Sequence, residues 1–128
     1  MKEEVKNGRY VDKYGNIEWY LEGKRHREDG PAIEYANGNK EWYLNDKLHR
    51  EDGPAVEDAS GYKEWWLNGK EHREDGPALE WPDGTKEWWL NGVEYTEEEF
   101  NQWLEKKNLN KRLHQTLEEK PSVKKVKI

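Results

Sequence analysis

Hydrophobic and polar positions recur along this chain with a step of 23 residues. Trp19, Trp42, Trp65 and Trp88 each sit inside a short run that reads Lys-Glu-Trp-Trp/Tyr-Leu-Asn in the last three copies. Between these runs the heptapeptide His-Arg-Glu-Asp-Gly-Pro-Ala is written three times, at 26–32, 49–55 and 72–78. A fixed period of this length signals a stacked array, in which no single unit can bury its apolar side alone. Within each unit, two short alternating runs flank a Gly-containing turn, which predicts a β-hairpin. In the last unit the turn is Trp81-Pro82-Asp83-Gly84-Thr85. Pro at the first turn position and Gly at a left-handed position suit a three-residue loop, a type I turn closed by a bulge.

That loop fixes a register. Glu80 faces Lys86, and by repetition Glu57 faces Lys63 and Glu34 faces Lys40, so opposite charges meet across the strands. In the first unit both charges are absent together, and Val11 faces Ile17. Continued outward, the register sets Ala32, Ala55 and Ala78 across from Trp42, Trp65 and Trp88 of the same hairpins. One face then carries Ala, the Trp42 row, Leu44, Leu67 and Leu90. The other carries Ile33, Val56 and Leu79, with Tyr35, Trp81, Tyr43, Trp66 and Trp89. The expected fold is mainly β. Four hairpins over residues 8–95 give a single-layer, twisted antiparallel sheet of about eight short strands, joined by Asn-Gly-Lys…His-Arg-Glu-Asp-Gly-Pro loops. The first unit differs from the rest, with Arg9 in the place of Ala, as terminal repeats of an array do.

The pattern stops at Tyr95, which stands where a fourth His would fall. Thr96 and Glu99 form a capping box, and Phe100, Trp103 and Leu104 follow at helical spacing. Asn108 is expected to end or bend this helix. Leu109, Leu113 and Leu117 mark a second, narrower stripe. Residues 96–120 thus read as a helical cap over one sheet face or the open end of the array, and 121–128 as a basic tail.

Composition changes the picture in one respect. With 32% hydrophobic and 39% charged residues, the 128-residue chain would fit disorder, but 8 Trp and 7 Tyr supply large burial at few positions. A thin sheet with little core reconciles the two. Cysteine is absent, which excludes disulfides and thiolate chemistry, and no apolar run reaches membrane-spanning length. A soluble, cytoplasmic protein without a transmembrane segment is expected. The net charge of −6 divides unevenly. Residues 106–128 hold eight Lys/Arg and two Glu, a net +6, so residues 1–105 carry −12. An acidic body argues against nucleic acid as a partner.

The unit at 30–49, Gly-Pro-Ala-x-Glu-Tyr-x-Asn-Gly-x-Lys-Glu-Trp-Tyr-x-Asn-x-Lys-x-His, resembles a variant MORN repeat. The resemblance covers residues 8–95 and rests on the period, the turn Gly, the Trp and the closing His. It implies β-hairpins in a curved single-layer sheet, with scaffolding, partner binding and, in some members, phospholipid contact. Repeats of the His-Arg-Glu-Asp-Gly-Pro-Ala style are similar to those of bacteriophage and bacterial proteins, some of them antitoxin-like.

Candidate chemistry is sparse. His26, His49 and His72 fall two strands apart, roughly 9–10 Å, too far to share an ion whose ligands lie about 2 Å away. The simpler reading has Asp capping backbone N–H groups and Arg pairing with the next repeat's Glu. Glu28-Asp29 and its copies repeat identically, whereas catalysis needs one distinct constellation. The expectation is therefore a non-enzymatic protein with no cofactor and no metal. Its binding surface is assigned to Tyr20, Tyr43, Trp66 and Trp89, with Tyr35, Trp81 and the cations Arg27, Arg50 and Arg73, since Tyr, Trp and Arg dominate interfaces. The expected partner is a protein, such as a bacterial defence or toxin protein that this chain would neutralise. Homo-oligomerisation is left open. Alternatives are sequestration of a nucleotide between aromatic and Arg side chains, or a peripheral scaffold touching phospholipid.

Overall fold

A computed structural model describes residues 4–119; the basic tail at 121–128 lies outside them. The first repeat, residues 8–26, forms β1 (Gly8–Val11), β2 (Ile17–Leu21) and β3 (Lys24–Arg25). The second, 27–49, forms β4 (Ile33–Glu34), β5 (Lys40–Glu41), β6 (Tyr43–Leu44) and β7 (Lys47–Leu48). The third, 50–72, gives β8 (Val56–Glu57), β9 (Lys63–Glu64), β10 (Trp66–Leu67) and β11 (Lys70–Glu71). The fourth, 73–95, gives β12 (Leu79–Glu80), β13 (Lys86–Leu90) and β14 (Val93–Tyr95). One helix follows, α1 (Glu97–Glu119).

The fold is mainly β and antiparallel. The main sheet runs β1-β2-β4-β5-β8-β9-β12-β13-β14, with β3 on β2, and it is not closed into a barrel. Its first eight members are the four expected hairpins in chain order. The expected register holds in each: Val11 faces Ile17, Glu34 faces Lys40, Glu57 faces Lys63 and Glu80 faces Lys86. The three-residue loops close as anticipated. Trp81 N–H donates to the Thr85 carbonyl at 2.9 Å, and Gly84 sits at φ +93°.

Two expectations need correcting. First, the Asn-Gly segments are not plain connections. They are two-residue turns with positive φ at both positions, Asn68 at +48° and Gly69 at +78° among them. Such turns match strand twist and make hairpins. Each repeat therefore folds a second, smaller hairpin, and this accounts for β3, β6, β7, β10, β11 and β14. Second, the small Ala does not face the Trp of its own hairpin. Ala55 N–H donates to the Glu64 carbonyl at 2.7 Å, although Glu64 is already the partner of Val56. Two residues thus face one, as in a bulge. The Trp belongs to the neighbour instead: Trp19, Trp42 and Trp65 donate their N–H to the carbonyls of Ala32, Ala55 and Ala78 in the following repeat, at 2.7, 2.8 and 2.7 Å. These alanines are fully buried where the backbone of the preceding repeat's Trp crosses them.

The histidines make the second junction between repeats. The Nδ1 atoms of His26, His49 and His72 accept the backbone N–H of Asn45, Asn68 and Asn91, each in the turn of the next repeat, at 3.0, 2.9 and 3.0 Å. Where no fifth repeat follows, the position is Tyr95. At the other end the lead-in segment substitutes for a preceding repeat. Asn7 Oδ1 accepts Glu22 N–H at 2.7 Å, and the Lys6 carbonyl accepts Gly23 N–H at 2.9 Å.

The chain divides into two compact units between Tyr95 and Thr96. In the second, the capping box forms as expected: Thr96 N–H donates to Glu99 Oε1 at 2.9 Å, and Glu99 N–H to Thr96 Oγ1 at 3.1 Å. The helix then runs through Asn108 without a break, which corrects the expectation of two helices. Asn lowers helix propensity only modestly, and residues 97–119 contain neither Gly nor Pro.

The buried junction predicts that Ala55→Trp overpacks the site, because Ala55 is fully buried at the crossing with the Trp42 backbone. Urea unfolding is expected to show a loss of about 1–3 kcal/mol. Val93→Trp, at a position 56% exposed, is expected to change stability by less than about 0.5 kcal/mol.

Candidate functional site

Alternation along the strands separates two rows. The first contains Trp19, Trp42 and Trp65. On each ring lies the guanidinium of an Arg from the next heptapeptide, with Arg27, Arg50 and Arg73 Cζ at 4.3, 3.9 and 3.8 Å from the ring centres. The other side of each guanidinium rests on a glycine. A Cβ built on Gly30, Gly53 or Gly76 would stand 2.8, 2.9 or 3.0 Å from the same Cζ. Only hydrogen fits there, and that explains the Gly of the heptapeptide. The guanidinium edge is also occupied. Arg50 Nε donates to Asp52 at 3.0 Å, and its Nη1 donates to the Pro54 carbonyl at 3.0 Å and to Glu57 at 3.3 Å. Arg27 and Arg73 repeat the pattern. Each Arg pairs with the Glu of the hairpin it leads into, Arg27 with Glu34, Arg50 with Glu57 and Arg73 with Glu80, within its own repeat and not in the next. Asp binds the guanidinium.

The second row is Tyr20, Tyr43, Trp66 and Trp89, all half-buried. Each polar tip donates to a Glu two residues earlier on the same side of the strand. Tyr20 reaches Glu18 at 2.5 Å, Tyr43 reaches Glu41 at 2.9 Å, Trp66 reaches Glu64 at 2.8 Å and Trp89 reaches Glu87 at 2.9 Å. Tyr35 joins at Glu41, at 3.5 Å. Trp81 packs on Tyr62, with ring centres 5.1 Å apart, and the Tyr62 hydroxyl donates to Glu64. Arg25 lies 5.9 Å from the Tyr43 ring centre and 3.7 Å from Glu18. The structure thus groups Tyr35 with Tyr43 and places Arg27, Arg50 and Arg73 on the other row. From the sequence, Glu41, Glu64 and Glu87 stand beside this row as charges that count against nucleic acid; their bonds to the aromatic tips, Glu18 and Tyr62 were missed. Their signal was the i, i+2 spacing that puts Glu and aromatic on one side of a strand.

The acids raise the phenols. Burial first, then the bond to Glu41 and its charge, pushes Tyr43 up to about 12. Burial and the Glu64 bond push Tyr62 up as well, and the Glu18 bond does so for Tyr20.

Successive heptapeptide loops leave a groove between them on the Trp–Arg side. One, of about 650 Å³, includes Trp42, Leu44 and His49; the next, of about 600 Å³, includes Trp65, Leu67 and His72. Most acids around them are exposed: Glu51 is 85% and Asp52 87% accessible. The three His are held apart by the repeat spacing, each with Nδ1 bound to a turn and Nε2 toward the Glu two residues on. Among the described residues no group of three His, Cys, Asp or Glu could hold a metal ion, and no helix is long and apolar enough to cross a membrane.

Comparisons with protein-family profiles, with curated proteins and with solved structures gave no match.

Two outcomes follow from these rows. Gly53→Ala displaces the Arg50 guanidinium from the Trp42 ring and is expected to cost about 1–3 kcal/mol in urea unfolding. Because Tyr43 holds its proton to about pH 12 when folded, while a free phenol ionises near pH 10, the native state favours the neutral form. This contribution is complete below pH ~10 and is lost as pH rises through about 12. Ultraviolet titration of Tyr43→Phe is expected to lack one late-ionising phenol found in the wild type.

Proposed function

We propose that this protein is a non-enzymatic binding module that engages a protein partner through the Tyr20, Tyr43, Trp66 and Trp89 row, and that it neutralises that partner. The observation that carries the reading is the row itself. Four large amphipathic side chains recur once per repeat, each half-exposed and each held by its own Glu. Fixed aromatics lose little conformational freedom on binding, and Tyr and Trp are the side chains that most often dominate interface energies. Tyr35 and Trp81 extend the surface. Arg27, Arg50 and Arg73 are left out of it, since their guanidiniums are stacked and bonded on the other row. A phosphate held between them and the Tyr43 row therefore has no support from the geometry.

The likeness of the repeat to the MORN type, and of the heptapeptide to antitoxin-like phage and bacterial proteins, suggests the kind of partner: a bacterial toxin or defence protein. The glutamates along the row make a surface that prefers a partner with basic groups beside its apolar contacts.

The test compares capture from bacterial lysate by the wild type and by the triple variant Tyr43→Ala/Trp66→Ala/Trp89→Ala, with circular dichroism to check folding. A specific protein recovered by the wild type and reduced at least about tenfold by the triple variant is expected, equivalent to about 1.4 kcal/mol or more. Equal recovery of every protein by both folded forms removes the aromatic row from the proposal.

A further inference from the structure

We propose that the outer edge of β1 is a strand-pairing site for a second copy of this chain, joining two arrays edge to edge into one sheet. β1 ends the strand order of the main sheet, so among the described residues nothing pairs with its outer side. Its register with β2 decides which backbone groups face out. Asp12 N–H bonds back to the Asn16 carbonyl at 3.0 Å, so antiparallel alternation turns the N–H and C=O of Arg9 and Val11 away from β2.

The chain itself shows what this edge does. Arg9 occupies the position of Ala32, Ala55 and Ala78, one or more repeats of 23 earlier. The carbonyl at each of those three positions accepts a Trp N–H from the preceding repeat. Val11 occupies the position of Glu34, Glu57 and Glu80, which pair with Ile17, Lys40 and Lys63 of the preceding repeats. The free edge of β1 thus stands at the repeat position that makes three strand junctions elsewhere, but as a regular edge without their bulge, because Arg9 is paired directly with Trp19. The lead-in residues Lys6 and Asn7 bond the neighbouring turn at Glu22-Gly23 and touch the Tyr10 side chain, with Asn7 N–H on its hydroxyl at 3.2 Å, while among the described residues no strand pairs with the outer backbone edge of β1.

Three features select a second copy as the occupant. Edge strands are normally guarded by charge or Pro. Here the Glu of every later repeat is replaced by Val11, 54% exposed beside Tyr10 at 40%. A preceding ordinary repeat would not find the same surface, because Arg9 stands where the three junctions have a fully buried Ala. The charge is also lowest at this end. Residues 4–25 hold five cations and four anions, whereas residues 26–95 hold eight cations and 17 anions. Two copies can approach at their first repeats without the repulsion that separates the acidic remainder. A twofold axis through Tyr10 sets Arg9 against Val11 of the second copy, keeps the two Arg9 apart and places the two Tyr10 across from each other at a close, non-hydrogen-bonded pair.

A pairing of four residues is a small interface, so association is weak and concentration-dependent. Sedimentation of the whole chain from about 5 to about 500 µM is expected to show dimer accumulating over that range. Val11→Pro deletes an N–H that points away from β2, so it is expected to keep the wild-type thermal melt while weakening the dimer at least about tenfold. Because the chain has no Cys, Tyr10→Cys can form only an intermolecular disulfide, and the Cα separation of a close antiparallel pair suits one. It is expected to oxidise at least about fivefold faster than Val93→Cys, another exposed site. A wild type that stays monomeric throughout, or a folded Val11→Pro that dimerises equally well, overturns the proposal. So do equal oxidation rates for the two cysteine variants.

Discussion

Each guanidinium of Arg27, Arg50 and Arg73 is held between an indole ring and the Cα of a glycine, and the rest of the array depends on that stack. Strands of two residues are too short to persist alone. What orders them is the junction to the next repeat, where four letters of the heptapeptide have separate tasks. His takes a turn N–H of the following unit. Arg covers the preceding Trp and ties down the Asp, a Pro carbonyl and a Glu of the next hairpin. Gly makes room for Arg, and Ala makes room for the Trp backbone crossing. A cation over a ring is worth about 0.5–1 kcal/mol when exposed and about 2 kcal/mol when desolvated. Here the ring is wide enough to shield one face of a cation that also satisfies two carboxylates and a carbonyl. That combination lets a charged residue serve as the packing core of a chain with few aliphatic side chains.

Variation between repeats follows the same contacts. Asn16 and Asn39 each accept the N–H of the following repeat's turn, Ala36 and Ala59, at 2.8 Å. At the third junction the turn residue is Pro82, which has no N–H to give. The position opposite is then Tyr62 instead of Asn, and its ring packs on Trp81. A polar junction has been exchanged for an aromatic one, with both partners changed together. This exchange also brings Tyr62 beside Glu64, so it adds an aromatic to the Trp66 end of the proposed binding surface.

The hairpins and their register were legible because the sequence contains its own control. Glu and Lys vanish together at Val11 and Ile17, and only one register pairs both. The period likewise picked out the Tyr43 row. Three things were hidden for physical reasons. Trp and Ala could be paired within a hairpin or between repeats, and hydrophobicity is the same either way; the bulge at Ala55 and Val56 decides it. Asn-Gly reads as a breaker or as the tightest hairpin turn, and the two φ values above zero choose the latter. The lean of Arg50 depends on a loop conformation that composition does not encode, and that loop sets it on the Trp42 ring and not beside Tyr43. Asn108 looked like a stop, but one residue of modest propensity does not end a 23-residue helix.

The junction also sets how this protein can change size. The His, Arg and Trp–Ala contacts that couple one repeat to the next are made by residues at fixed offsets, so a copy of 23 residues can be gained or lost between two others and leave those bonds in place on both sides. Each gain lengthens the aromatic row by two strands, roughly 9–10 Å, with one more Tyr or Trp and one more Glu. The reach of the surface is therefore quantised. Duplicating or deleting a cassette would lengthen or shorten the proposed binding surface by that step, while the terminal elements, with Asn7 at one end and Tyr95 at the other, stay as they are.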